Sequence, residues 1–317
     1  MGKFVVKRLL QSIPLIIFVT IFAFFVIHIM PGDPVRNLLG DKATEEQILQ
    51  MQKSLNLDKP ITEQFWMWIK GVFRFDFGKS LIWNEPAAEI IIKRIEPTFI
   101  LAIIGTFIST AIGIPLGILS AKKQGRFTEK ALSLLSLVSI SLPTFWVAIL
   151  MIQMLCVKIN LFPVAGYHTI ADSGFAVALK DLALPGIILG IMHSGQIGRM
   201  TKNSMQEIMQ QDYLRTARAC GIRESKVLNY YGLKNALSSV IVVIGFSFAG
   251  MLAGAAVIEQ IFNIPGIGSL ATTSIAGRDY PLIQGTLFVI SLVFIFVNLL
   301  VDLLCAFINP KVRYENE

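Results

Sequence analysis

The chain has 317 residues, 54% of them hydrophobic and only 15% charged, with a mean hydropathy of +0.65. A soluble domain needs more charged exterior than that, so the composition is that of an integral membrane protein. The net charge of +7 belongs either to nucleic-acid binding or to cytoplasmic loops, and Cys156, Cys220, Cys305, His28, His168 and His193 are too scattered for a disulfide framework or a zinc motif.

Six apolar runs are long enough to cross a hydrocarbon core of about 30 Å: 9–30, 98–121, 131–157, 182–200, 236–258 and 283–308. They are uniformly apolar instead of alternating, so they predict helices and not barrel strands. Lys3, Lys7 and Arg8 before the first run resemble a signal peptide, but the run is too long. Pro31-Gly32-Asp33-Pro34 stands where a small-residue cleavage site belongs, so the run is expected to stay as a span. With a cytoplasmic amino terminus, the inner segments hold 16 of the 28 Lys and Arg and the outer segments hold 14 of the 21 acids. Both termini are therefore expected inside. Topology uses the basic excess, and nucleic acid is not an expected partner.

Residues 31–96 form the one outer segment large enough for a helical subdomain. Thr44 with Gln47 predicts a capping box opening a helix over 45–55, and Thr62 is expected to open a second helix carrying Phe65, Trp66, Trp68, Phe73, Phe75 and Phe77. These rings serve packing, the membrane surface or a ligand box. Phe77-Gly78-Lys79-Ser80 ends like a phosphate loop, yet the required first glycine is Phe73. No His-Glu-x-x-His or Gly-x-Ser-x-Gly is present, so no ATPase or hydrolase site is expected in this chain.

Between the fourth and fifth runs, 201–235 reads as helix, glycine break, helix. Tyr213, Ala217 and Cys220 lie down one side of the first helix and Arg215 and Arg218 on another, and Gly221 permits the left-handed conformation that ends it. Such a helix lies across the membrane face, either on anionic lipid or in a partner. Thr216, Ala217 and Ala219 stand where a lipid-lying helix wants Leu or Phe. Pro265-Gly266-Ile267-Gly268 is either an apolar loop dipping back under protein cover, a gate candidate, or a tight surface turn. Glu259, Arg278 and Asp279 flank it, as contacts for a delivering protein or as a solvated rim. Asp302 lies well within the last run with Asn298 one turn before it, and marks a polar helix contact, a pore position or a reach to the interface.

Asp212-Tyr213 through Arg215-Thr216-Ala217-Arg218-Ala219 to Gly221, continuing to Asn235-Ala236-Leu237, resembles the permease signature of ATP-binding-cassette importers. The form is the divergent one of the oligopeptide, dipeptide and nickel permease family, first-permease type. Of the general Glu-Ala-Ala motif only Ala217 and Gly221 match. Arg8-Leu9-Leu10, Ile13-Pro14, Pro31-Gly32-Asp33-Pro34, Leu55-Asn56-Leu57-Asp58-Lys59-Pro60, Glu259-Gln260-Ile261-Phe262, Pro265-Gly266-Ile267-Gly268 and Arg278-Asp279-Tyr280-Pro281 are similar to further family motifs in order. Cys305, Ser239 and Asn309-Pro310-Lys311 depart from the pattern.

The resemblance implies an all-α integral membrane protein with the six-helix type I ABC importer fold. It divides into 1–30, the extracytoplasmic subdomain 31–96, a core over 97–308 with its coupling loop at 201–235, and a cytoplasmic tail over 309–317. It implies a permease that hydrolyses no ATP itself. Asp212, Tyr213, Arg215, Thr216, Ala217 and Gly221 would couple it to two ATPase subunits that hold ATP and Mg. Glu259, Pro265, Gly266, Gly268, Arg278 and Asp279 would serve the outer gate or the binding protein. A second homologous permease, an extracytoplasmic binding protein, a peptide and the bilayer of a bacterial or archaeal cell membrane complete the expected set. A nickel or metal-chelate permease of the same family is the alternative, then a secondary carrier, and last a membrane enzyme.

Overall fold

The structure is a computed structural model that describes residues 2–29, 35 and 44–308. The Pro31-Gly32-Asp33-Pro34 motif, Asn309-Pro310-Lys311 and the tail lie outside the described residues. What is described is helical. Helix α1 covers Gly2–Ile29, α2 Glu45–Ser54, α3 Ile61–Val72, α4 Ala87–Lys122, α5 Phe127–Ser141 and α6 Thr144–Met151. They are followed by α7 over Phe175–Met209, α8 Asp212–Ala219, α9 Leu233–Ile261, α10 Ile267–Ala276 and α11 Tyr280–Ile308.

Among the described residues, five helices are apolar and long enough to cross a membrane: Val5–Ile29, Ala87–Lys122, Phe175–Met209, Glu224–Ile261 and Tyr280–Ala306. The expected third crossing over 131–157 is not one straight helix. It breaks between α5 and α6 with a bend of 96°, and counts as a sixth crossing only if the bent pair is taken as one. Pro143 has no N–H for the helical ladder and pushes Leu142 into an extended conformation, φ −74° and ψ 135°. A π-helical turn over Ile152–Lys158 then carries α6 onward.

Helices α4 and α7 form the centre and touch backbone to backbone. A methyl group on Gly113 would lie 2.7 Å from the Ser194 carbonyl oxygen, and one on Gly117 2.6 Å from that of Gly198. Without a hydrophobic force between helices in lipid, such close approach supplies the packing. Around this pair sit α5, α6 and α9, with Leu101, Leu182, Ile188 and Ile258 fully buried among them.

Thr44 and Gln47 form the expected capping box of α2. Helix α3 begins one residue earlier than Thr62 predicts, after Pro60, and ends at Val72, so Phe73, Phe75 and Phe77 follow it. The aromatic side chains divide accordingly. Phe65 and Trp68 pack on Phe24 of α1 at ring distances of 5.2 and 5.9 Å, and Trp68 and Phe77 on Phe288 of α11 at 6.2 and 6.0 Å, while Trp66, Phe73 and Phe75 are exposed. Position 96 lies inside the continuous α4.

Candidate functional site

Two connections carry the candidate residues, one at each end of the bundle. At the end bearing the Lys122–Arg126 turn, α8 is closed by a Schellman motif. Ile222 N–H donates to Ala217 O at 3.2 Å and Gly221 N–H to Arg218 O at 2.9 Å, with Gly221 at φ +73°, a conformation that costs a side chain about 1–2 kcal/mol.

One side chain of the helix is fully buried. It is Leu214, beside Gly232 and Met205, while Asp212, Tyr213, Arg215, Thr216 and Cys220 are exposed and Ala217 is half-buried. This corrects the expected pairing of faces: the inward side is Leu214 with Ala217 and Arg218, and Leu214 was legible as the one large aliphatic residue of the segment. Arg218 turns to Glu224 at 3.1 Å, a partly exposed pair. Tyr213 Oη accepts from Asn235 Nδ2 at 2.9 Å, and Arg215 meets Asp212 only loosely, at 3.5 Å with both exposed. The outward face of Asp212, Tyr213, Arg215 and Thr216 is therefore exposed, its polar groups tied, among the described residues, only to one another and to Asn235.

At the other end the carboxylates are interior and not a solvated rim. Glu259 is fully buried; it accepts from Thr98 Oγ1 at 2.5 Å and from Ser269 N–H at 2.7 Å, and the same Thr98 oxygen accepts from Ile267 N–H at 2.9 Å. Gly266 is buried against this carboxylate, where a methyl group would fall 2.1 Å from Glu259 Cδ, and one on Gly268 would fall 2.7 Å from Ala256 Cα. With Gly266 at φ −93°, close approach and not turn geometry calls for this glycine. Half-buried Pro265 precedes it.

Asp279 is equally enclosed. Its Oδ2 accepts from Ser80 Oγ at 2.6 Å, Leu81 N–H at 2.9 Å and Ile82 N–H at 3.1 Å, and its Oδ1 from Leu282 N–H at 3.3 Å. The false phosphate motif thus has a structural use: Ser80 ties the subdomain to the start of α11. Arg278, half-buried at φ +53°, makes the turn between them.

A third tie was not legible: Tyr167 donates to Glu96 at 2.5 Å, the Ile170 N–H donates to the same oxygen at 3.1 Å, and Gly166 N–H reaches Phe262 O at 2.9 Å. Burial, with Glu96 adding to it, pushes the Tyr167 phenol above its ordinary range, so it stays a donor.

Asp302 pairs with Arg8 of α1 at 3.1 Å, both about one-third exposed, which makes it a helix contact. Asn298 Oδ1 is buried with no hydrogen-bond partner among the described residues. No three His, Cys, Asp or Glu side chains gather as a metal site requires among the described residues.

Comparison with known proteins fits this arrangement. Residues 113–314 match the family described as binding-protein-dependent transport system inner membrane component, and residues 1–102 match its amino-terminal counterpart. A peptide transport system permease protein of Brucella abortus (strain 2308) is 37% identical over 99% of this chain and 100% of its own length. The glutathione transport system permease protein GsiC of Salmonella typhi is 36% identical over the same shares. The fold resembles that of the MetNI methionine ABC transporter in an inward-facing form, with a TM-score of 0.57 at 16% identity over 69% of this chain and 96% of that one. The chain belongs to the binding-protein-dependent transport system inner membrane component family, as the multi-pass inner-membrane permease of an ABC transporter whose ATPase is a separate subunit.

Proposed function

We propose that this permease imports peptides, and that α8 is the helix through which ATP hydrolysis reaches it. The observation that carries the coupling role is the mounting of α8: one buried leucine, a glycine closure, and an outward face of Asp212, Tyr213, Arg215 and Thr216 that the fold leaves accessible. The peptide assignment is supported by full-length similarity to peptide and glutathione permeases.

In this reading the chain crosses the membrane six times, the bent α5–α6 pair included, with both termini and α8 on the cytoplasmic side. A second homologous permease completes the path, two ATPases hold ATP and Mg, and an extracytoplasmic binding protein delivers cargo to the end formed by 44–86 and the 259–281 connection. ATPase closure moves α8, and the packed α4–α7 pair carries that displacement to the Pro265–Gly268 segment, a two-state element biased from both ends. Purification of the tagged chain from its native membrane in mild detergent, with mass spectrometry, is expected to recover two ATPases and a second permease. Stable protein that crosslinks to no ATPase would end the coupling role.

A further inference from the structure

Helix α7 carries a line of polar side chains that the fold does not use. Its first part is enclosed, with Leu182, Leu184, Ile188, Leu189 and Met192 at most 9% exposed. From His193 on, one face opens: His193 is half-buried and Gln196, Arg199, Asn203 and Glu207 are exposed, while Ile197 and Ser204 beside it and Thr201 and Met205 farther round stay buried. At 3.6 residues per turn these five positions share an arc of about 120° and run about 21 Å along the axis. None of the five side chains makes a hydrogen bond or ion pair with another described residue.

Beside this line the bundle leaves room. On α9, a methyl group at Gly250 would have only His193 Cε1 near it, at 3.8 Å, and one at Gly254 would meet nothing within 4 Å. His193 and Gln196 lie within the apolar run 182–200, where polar groups turn to protein or water and not to hydrocarbon, and Arg199, Asn203 and Glu207 continue the same face to and past the inner end of that run. Where this bundle satisfies a charge internally it does so closely, as with Lys202 and Glu129 at 2.7 Å. Arg199, one turn away, has no such partner.

We propose that the His193–Glu207 line of α7 forms one wall of the translocation path, a hydrogen-bonding track for a zwitterionic peptide, and that Arg199 receives the peptide carboxylate. This rests on the transport reading above. The amides of Gln196 and Asn203 donate and accept, as a peptide backbone does. The Arg199 fork matches a carboxylate, and Glu207 offers the ammonium end a counter-charge. Exposed, spaced contacts suit passage, because cargo must also leave.

The test uses the assembled transporter in inside-out vesicles, with Cys220→Ser removing the exposed native thiol. His193→Cys and Gln196→Cys, both within the run 182–200, are expected to react with a water-soluble maleimide, and Phe18→Cys on the exposed face of α1 is not. Silent His193→Cys and Gln196→Cys would place the line against another subunit and overturn the path. In cells, Arg199→Gln is expected to raise the KM for labelled trialanine about tenfold, the loss of one charged hydrogen bond, and to leave trialanine amide nearly unchanged. Equal losses for both would overturn the carboxylate role. If deleting the chain leaves trialanine uptake unchanged, the peptide assignment itself fails, while the labelling pattern still decides the path.

Discussion

The connection from α9 to α11 and the connection from α7 to α9 both join long helices and both carry acids, and they treat those acids in opposite ways. Glu259 and Asp279 are fully buried, and Asp279 alone takes four hydrogen bonds. Asp212 stands in the open with one loose ion pair. A buried carboxylate with satisfied lone pairs positions backbone, and truncating it strands every donor around it. An exposed one contributes little to the fold and is free to meet something else. One end of this molecule is locked to itself, and the other leaves its acid exposed, as the proposed docking of α8 requires.

The largest break of that contrast is Asp279→Ala. It strands the Ser80 hydroxyl and the amides of Leu81, Ile82 and Leu282 and is expected to cost more than about 3 kcal/mol, each buried donor left unpaired costing about 1–3 kcal/mol. The readout is a lower melting temperature in detergent and early protease cleavage between residues 72 and 86. Unchanged melting would show that the lock is not there.

Gly221→Pro comes next. Proline fixes φ near −65° where φ is +73° and removes the donor to Arg218 O, at a local cost of about 3 kcal/mol. Uptake should vanish with normal amounts of chain in the membrane. Thr216→Arg, on the outward face of the same helix, is expected to do likewise by steric means, with loss of the co-purifying ATPase; normal transport by both variants would refute the docking role.

Leu214→Ala removes the one buried anchor of α8 and should cost about 2–4 kcal/mol, seen as faster hydrogen exchange over residues 212–222 with the outer end unaffected. The smallest effect belongs to Asp302→Asn, since its pair with Arg8 is one-third exposed on each side. About 0–1 kcal/mol is expected, with uptake retained. A transport-dead Asp302→Asn that melts normally would move Asp302 from a helix contact to the path.

The spans were legible because crossing a membrane demands long uniform apolar runs, and α8 because a charged segment ending in Gly221 interrupts them. The 96° bend was hidden in such a run: Leu142-Pro143 marks it, but apolarity alone does not give direction. The burial of Glu259 and Asp279 was illegible for a different reason. Their partners Thr98 and Ser80 lie 161 and 199 positions away in the chain, so nothing local tells an enclosed carboxylate from one on a rim. The polar line on α7 was present as letters, yet its meaning depends on which face the neighbouring helices leave uncovered.

Helix α4 runs unbroken from Ala87 to Lys122, 36 residues and about 54 Å, from the ties that hold the outer subdomain to the opposite rim of the bundle. Its ladder lacks a rung at two places only, Pro97 beside the Thr98–Glu259 bond and Pro115 near the far end. Under the proposed function, a load applied by a docked carrier protein would travel as in a mast with two joints: the mast tilts as a whole, or it flexes at Pro97, and there the flexing member is already fastened, through Thr98 and Glu259, to the proposed gate.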